Sequence, residues 1–283
     1  MSEYYNPHRK PDWNYGGPKF RLSRSKIELF MECPRCFYLD NNIGTARPRG
    51  PSFTLNVAVD ALLKKEFDIH RAKNQAHPLM QQYGIDAVPF SHPKLDVWRE
   101  NFKGIEFKHA QTGFVVSGAV DDIWVNSKGE LIVVDYKATS KDGSIDTLAD
   151  SSWQKQYQRQ MGVYQWLLRQ NGFSVSDTGY FVYVNAKKDR EAFDGKLDFD
   201  VTLVPCEGDS DWVDVALVSA KACLDSGSAP EAASDCDYCA YRKAAGEALQ
   251  ALAGSRPKAM VSSASKKRSA SKKEESTETK TLF

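Results

Sequence analysis

The chain has 283 residues, six of them cysteines, and 38 Lys and Arg against 37 Asp and Glu, a formal charge of +1. A hydrophobic fraction of 41% and an aromatic fraction of 11% are globular values and exclude a wholly disordered chain. No apolar run approaches the ~20 residues of a membrane span. The opening Met1-Ser2-Glu3-Tyr4-Tyr5-Asn6 lacks the apolar segment of a secretion signal, so the expectation is a cytoplasmic protein.

Taken in chain order, residues 1–20 are rich in Pro, Gly, Asn and Tyr without periodicity and read as a flexible N-terminal arm. Ser25 then caps a helix that the spacing of Ile27, Phe30, Met31 and Phe37 carries through Tyr38. A second helix covers 52–70, with Val59, Leu62, Leu63 and Phe67 on its apolar face and Lys64-Lys65 off it. Residues 105–109, 113–126 and 131–138 read as strands, the last two joined as a hairpin by Ser127-Lys128-Gly129. An amphipathic helix over 151–170 ends at Asn171-Gly172. Strands over 179–185 and 197–204 and helices over 211–224 and 241–252 follow. Residues 255–283 carry seven Ser, eight basic and three acidic side chains, and read as a disordered basic tail. The +5 of that tail leaves −4 on residues 1–254, so near-neutrality of the whole chain does not exclude a nucleic-acid partner. The pattern predicts one α/β domain over 21–254, a mixed sheet flanked by helices.

The chemistry concentrates in Gly118-Ala119-Val120-Asp121-Asp122-Ile123-Trp124 and Leu131-Ile132-Val133-Val134-Asp135-Tyr136-Lys137-Ala138. A strand has a period of two, so Asp135 and Lys137 project to one face and Val134 and Tyr136 to the other. Cross-strand pairing brings Asp121 beside Asp135. Two carboxylates a few ångströms apart repel unless a cation lies between them, and hard oxygen ligands suit magnesium or manganese. A lysine next to such an ion can orient a water and stabilise charge on a phosphate. Taken alone, Asp-x-Lys is most often a structural ion pair at a strand edge.

The wider context resembles the PD-(D/E)XK nuclease superfamily, and within it the RecB-like exonuclease branch that includes the CRISPR-associated exonucleases. Four features match in order: Ser25 through Cys33-Pro34-Arg35, Gly118-x-Val120-Asp121-x-Ile123, Asp135-Tyr136-Lys137, and Gln160-Met161-Gly162-Val163-Tyr164. The resemblance implies a restriction-endonuclease-like core. It implies that Asp121, Asp135 and the backbone carbonyl of Tyr136 hold the metal and that Lys137 positions the attacking water. Gln160 and Tyr164, at i and i+4, would border the active site and contact nucleic acid. The branch usually places a histidine ligand on the helix before the sheet. Asn56-Val57-Ala58-Val59-Asp60 is the matching stretch, and Asp60 takes the histidine's place as a candidate ligand. Strand alternation lets only one of Asp121 and Asp122 face the metal, and the alignment favours Asp121.

Cys33-Pro34-Arg35-Cys36 and Cys236-Asp237-Tyr238-Cys239 are two Cys-x-x-Cys pairs near opposite ends of the folded region. Four thiolates suit a tetrahedral zinc ion or an iron–sulfur cluster. The resembling branch often carries a [4Fe-4S] cluster, but its last cysteine would fall near Ala244 or Ala245 and is absent, leaving Cys36 as the fourth thiolate. Either cofactor would join the N- and C-terminal segments. Cys206 and Cys223 lack ligand spacing and read as packing residues.

The resemblance thus implies a magnesium- or manganese-dependent nuclease, with DNA as single strands or duplex ends as its partner and no membrane. The chain holds no helicase motif, so unwinding would need a helicase, and other repair or CRISPR proteins are candidate partners. Two alternatives stay open: a non-catalytic nucleic-acid-binding module with a structural Zn or Fe–S site, and a ribonuclease.

Overall fold

A computed structural model of the chain describes residues 9–48, 50, 53–143 and 152–255. It divides into two units, Met1–Cys239 and Ala240–Phe283. The elements run β1 (Leu22–Ser23), α1 (Arg24–Glu32), α2 (Pro34–Tyr38), α3 (Thr54–Ala72), α4 (Pro78–Gln82), β2 (Ala87–Pro89), α5 (Leu95–Arg99), β3 (Ile105–Lys108), β4 (Val115–Gly118), β5 (Asp122–Asn126), β6 (Leu131–Thr139), α6 (Ser152–Gln170), β7 (Thr178–Ala186), β8 (Phe199–Glu207), α7 (Trp212–Asp225) and α8 (Asp237–Ser255). No described helix is long and apolar enough to cross a membrane. The basic tail lies outside the described residues except for Ser255.

The central sheet has the order β2-β5-β6-β7-β8, and β6 and β7 are its one parallel pair. The expected hairpin is β5–β6. The mixed α/β architecture therefore stands. Alternation along β6 builds both faces. Leu131 and Val133 join Phe181, Val204, Met161, Leu167 and Leu217 in a core on the side of α6 and α7. Ile132, Val134 and Tyr136 join Val182, Leu203, Phe67 and Met80 in a second core on the side of α3. Each fully buried aliphatic side chain stabilises the fold by roughly 1.5–3 kcal/mol, so β6 is fixed in register from both sides.

Several expectations need correction. The single strand over 113–126 is two strands in two sheets: β4 pairs with β1 and β3 in a small separate sheet, and the chain leaves it at Gly118 to enter the central sheet at Asp122. The helix over 25–38 breaks at Cys33, which is extended (φ −160°, ψ 104°) because a residue before proline is pushed out of the helical region. Leu62 is exposed, and the buried face of α3 is carried by Leu63 and Phe67. The segment read as a flexible arm is tied down from residue 9: Arg9 pairs with Asp40 at 2.8 Å, and Tyr15 packs edge-on to Phe20 and Phe114. Helix α8 starts at Asp237, four residues before the expected 241, so Cys239 lies on it.

Candidate active site

The C-terminal half of β6 carries a charged pair out of an apolar strand. Asp135 is 2% exposed, and its Oδ1 accepts a 2.7 Å hydrogen bond from Gln160 Nε2. Its Oδ2 has no hydrogen-bond partner among the described residues and faces the Lys137 ammonium in ion-pair contact. Lys137 Nζ donates to Gln160 Oε1 at 3.2 Å and stands 4.4 Å from the ring centre of Tyr157. Gln160 Nε2 also donates to the Tyr164 hydroxyl at 3.1 Å. Both N–H groups of Gln160 and its carbonyl are thus committed, which fixes the relative positions of Asp135 and Lys137. Burial opposes the charge on Lys137, but Asp135 and then Asp121 outweigh it and hold its pKa above the ordinary lysine value.

Asp121 sits just ahead of β5, where Asp122 pairs with Val134, and reaches across to β6: its Oδ2 accepts the Tyr136 backbone N–H at 2.9 Å. Its pKa is pushed up to about 7 by burial first, then by the charges of Asp135 and Asp60, against the opposing Lys64 and the Tyr136 N–H. Asp60 arrives from α3. Lys64 Nζ lies 2.8 Å from Asp60 Oδ2 and 3.7 Å from Asp121 Oδ1. The structure therefore brings Asp60, Asp121, Asp135, Tyr136, Lys137, Gln160 and Tyr164 into one neighbourhood. Asp122 is turned away: wholly buried, it accepts from Arg71 at 2.5 Å, from Arg99 at 2.6 Å and from the Tyr136 hydroxyl at 3.0 Å.

Two residues of this neighbourhood escaped the sequence reading. Lys64 lies off the apolar face of its helix, and its i,i+4 spacing from Asp60 is a legible signal that both turn the same way. Arg24 opens α1 one residue before Ser25. Burial works against its charge, yet the adjacent Tyr164, to which it hydrogen-bonds, and Asp135 raise its pKa. No motif spacing marks it.

A cleft of about 340 Å³ opens alongside, lined by Phe53, Asn56, Val59, Ala138, Lys187 and Phe199 among others. Val59 and Ala138 of its lining are the chain neighbours of Asp60 and Lys137, and strand alternation turns Ala138 to the opposite face of β6 from Lys137.

The residues suit a hard divalent cation. One buried carboxylate oxygen is met only by the Lys137 ammonium, a second carboxyl is driven toward neutrality by burial and then by its acidic neighbours, and every ligand atom is oxygen. Such a set polarises a bound phosphate and activates a water once an ion is held there.

The four cysteines form a separate centre. Cys36 Sγ lies 3.6 Å from Cys236 Sγ and 3.5 Å from Cys239 Sγ, Cys33 Sγ lies 3.9 Å from Cys239 Sγ, and all four fall within 4.8 Å of one another. A tetrahedron of sulfurs at ~2.3 Å from a single ion has edges of roughly 3.8 Å. Burial raises the Cys33 thiol, but backbone N–H groups of Cys36 and Ala233 outweigh it and bring its pKa down to about 7, favouring thiolate. Arg47 lies against the cluster, with Nη2 3.4 Å from Cys236 Sγ and its guanidinium 4.6 Å from the ring centre of Tyr238. It also pairs with Glu32, which accepts from Gln156 at 2.9 Å, linking the cluster to the helix that carries Gln160.

The sequence profile of the PD-(D/E)XK nuclease superfamily matches residues 21–244. Among solved structures, one described as "Crystal structure of SSO0001" is 15% identical to this chain and covers 74% of it and 78% of its own length, with a TM-score of 0.30. No curated protein matches.

Proposed function

The chain belongs to the PD-(D/E)XK nuclease superfamily, whose chemistry is metal-dependent phosphodiester hydrolysis, and from that premise we propose that it is a magnesium- or manganese-dependent deoxyribonuclease of the RecB-like exonuclease type. The observation that carries the reading is the buried Asp135, ion-paired with Lys137 on one face of β6, with Asp121 and Asp60 alongside. The RecB-like assignment draws support from Gln160 and Tyr164, which sit against the acid–lysine pair from α6.

Asp121, Asp135 and Asp60, with the backbone of Tyr136, would hold the divalent ion. That ion supplies Lewis-acid polarisation of the scissile phosphate and a lowered pKa for a bound water. Lys137, fixed by Asp135 and Gln160, donates a hydrogen bond that orients the attacking water and neutralises charge growing on the phosphate oxygens. Arg24 adds a second positive charge on the α6 side, and Tyr164 holds Gln160 in place. The adjoining cleft, apolar along Phe53, Val59 and Phe199 with Lys187 on its rim, has the character of a path for a single strand. At the cysteines we assign one zinc ion rather than a [4Fe-4S] cluster, because thiolates on four different irons of a cube stand farther apart than the edges measured here.

The test compares degradation of linear, circular and single-stranded DNA with magnesium or manganese. Linear DNA should be degraded and circular duplex spared, and Asp135→Ala or Lys137→Ala should lower the rate by about 10²-fold or more. Full activity in either variant sinks the assignment. Cleavage of RNA alone would move the substrate to the ribonuclease alternative.

A further inference from the structure

The acidic cluster is spanned by a lysine. Asp60 and Lys64 stand one helical turn apart on α3, and Lys64 Nζ contacts Asp60 at 2.8 Å while lying 3.7 Å from Asp121 on the other side. The three side chains keep only 33%, 22% and 26% of their surface, for Asp60, Lys64 and Asp121, so the bridge is partly shielded from solvent. Among the described residues, the four cysteines are the one group of three or more ligand-type side chains drawn close enough to hold a metal. The carboxylates are instead joined through ammonium groups: Lys64 between Asp60 and Asp121, and Lys137 against Asp135.

We propose that Lys64 is a resident counter-cation that competes with the divalent ion for Asp60 and Asp121, so that ion entry requires its ammonium to swing away. The proposal rests on the nuclease reading of this site. A lysine suits the role because its charge is a compact point on a flexible four-carbon stem, able to leave without disturbing the helix backbone. Repulsion between Lys64 and an incoming divalent charge keeps the affinity of the free protein low. A nucleic-acid phosphate near the cluster offers the displaced ammonium a new partner. Nucleic acid and metal therefore bind with positive coupling, and by linkage each strengthens the other to the same degree.

The experiment measures manganese binding to the full chain by electron paramagnetic resonance, with and without a non-cleavable phosphorothioate single strand. Lys64→Met should bind manganese about tenfold more tightly than wild type without DNA, the scale of one partly shielded ion pair removed from competition. Its gain on adding the strand should shrink. Lys64→Arg, which keeps the charge, should stay near the wild-type affinity. Both replacements are good helix formers at a solvent-reaching position, so the fold is expected to survive. Asp121→Asn is the control for the site itself. If it abolishes binding while Lys64→Met matches wild type or binds more weakly, the competition proposal fails and the nuclease reading stands. If Asp121→Asn binds as wild type does, both fail.

Discussion

Asp121 and Asp122 are adjacent carboxylates with separate tasks, and their neighbours explain the division. Asp121 keeps a quarter of its surface and faces Asp60 and Asp135. Asp122 has none and is the shared anion for two arginines whose side chains are 9% and 8% exposed. Those arginines also hold Asp68, whose pKa burial would raise but which Arg71 and Arg99 hold below the usual carboxylate range. Asp122→Ala would leave two buried guanidinium groups short of their anion, a defect that costs about 3–5 kcal/mol. Urea denaturation should show that loss, and a midpoint equal to wild type would mean the network contributes no net stability. In the sequence, strand alternation showed that only one of the two acids could face the metal, and the match to the Gly-x-Val-Asp motif was needed to choose Asp121. Arg71 and Arg99 were not legible as their partners, because they reach Asp122 from α3 and α5, across 51 and 23 residues of chain.

Among the elements, the packing of α6 on β4 gives two matched motifs one physical cause. A Cβ built on Gly118 would stand 2.8 Å from a ring carbon of Tyr164 and 3.0 Å from Leu167 Cδ1. The glycine of Gly-x-Val-Asp thus makes room for the tyrosine of Gln-x-x-x-Tyr. Gly118→Ala should destabilise the protein by about 1–3 kcal/mol through overpacking. It should also slow turnover beyond any loss of folded protein, because the displaced ring carries the hydroxyl that holds Gln160. Turnover per folded molecule equal to wild type would show that the ring can shift without disturbing Gln160. Long periodic elements such as α3, α6 and β6 were legible to within about two residues, since each buries a continuous face. The five-residue α4 and α5 and the three-residue β2 were not, because so short a segment shows no period and is held by tertiary packing. The split of residues 113–126 into β4 and β5 was hidden for a related reason: both halves are apolar, and the break between them is set by which sheet each one joins.

Over the whole first unit, the cysteine centre closes a loop of some 200 residues that takes in most of the fold. Cys36 and Cys236 are 200 residues apart and their sulfurs are 3.6 Å apart. The two Cys-x-x-Cys pairs were visible in the sequence, but their convergence was not, because α2 and the start of α8 are separated in the chain by the whole central sheet and α7. A cross-link of that span restricts the unfolded chain by about 5 kcal/mol on the chain-entropy account of closed loops, and ion binding to four cysteines already gathered by the fold adds directly to folding free energy. The catalytic cluster gains less, since it closes no such loop and Lys64 and Lys137 offset part of its negative charge. The two centres should therefore respond differently to metal removal. A mild chelator that strips magnesium should stop cleavage and leave the melting temperature unchanged. A chelator strong enough to empty the cysteines should lower the melting temperature, and Cys36→Ser should do the same without any chelator. Elemental analysis of the purified protein should find one zinc per chain, and its spectrum should lack the visible absorption of an iron–sulfur cluster. Four irons per chain would overturn the zinc assignment, and a melting temperature indifferent to Cys36→Ser would remove the clasp from the account of stability. Arg47 gives the clasp a route to the chemistry, since it touches Cys236 and pairs with the glutamate that receives Gln156, one turn before Gln160 on α6. Emptying the cysteines should therefore also reduce turnover in the molecules that remain folded, by loosening the helix that positions Gln160 against Asp135.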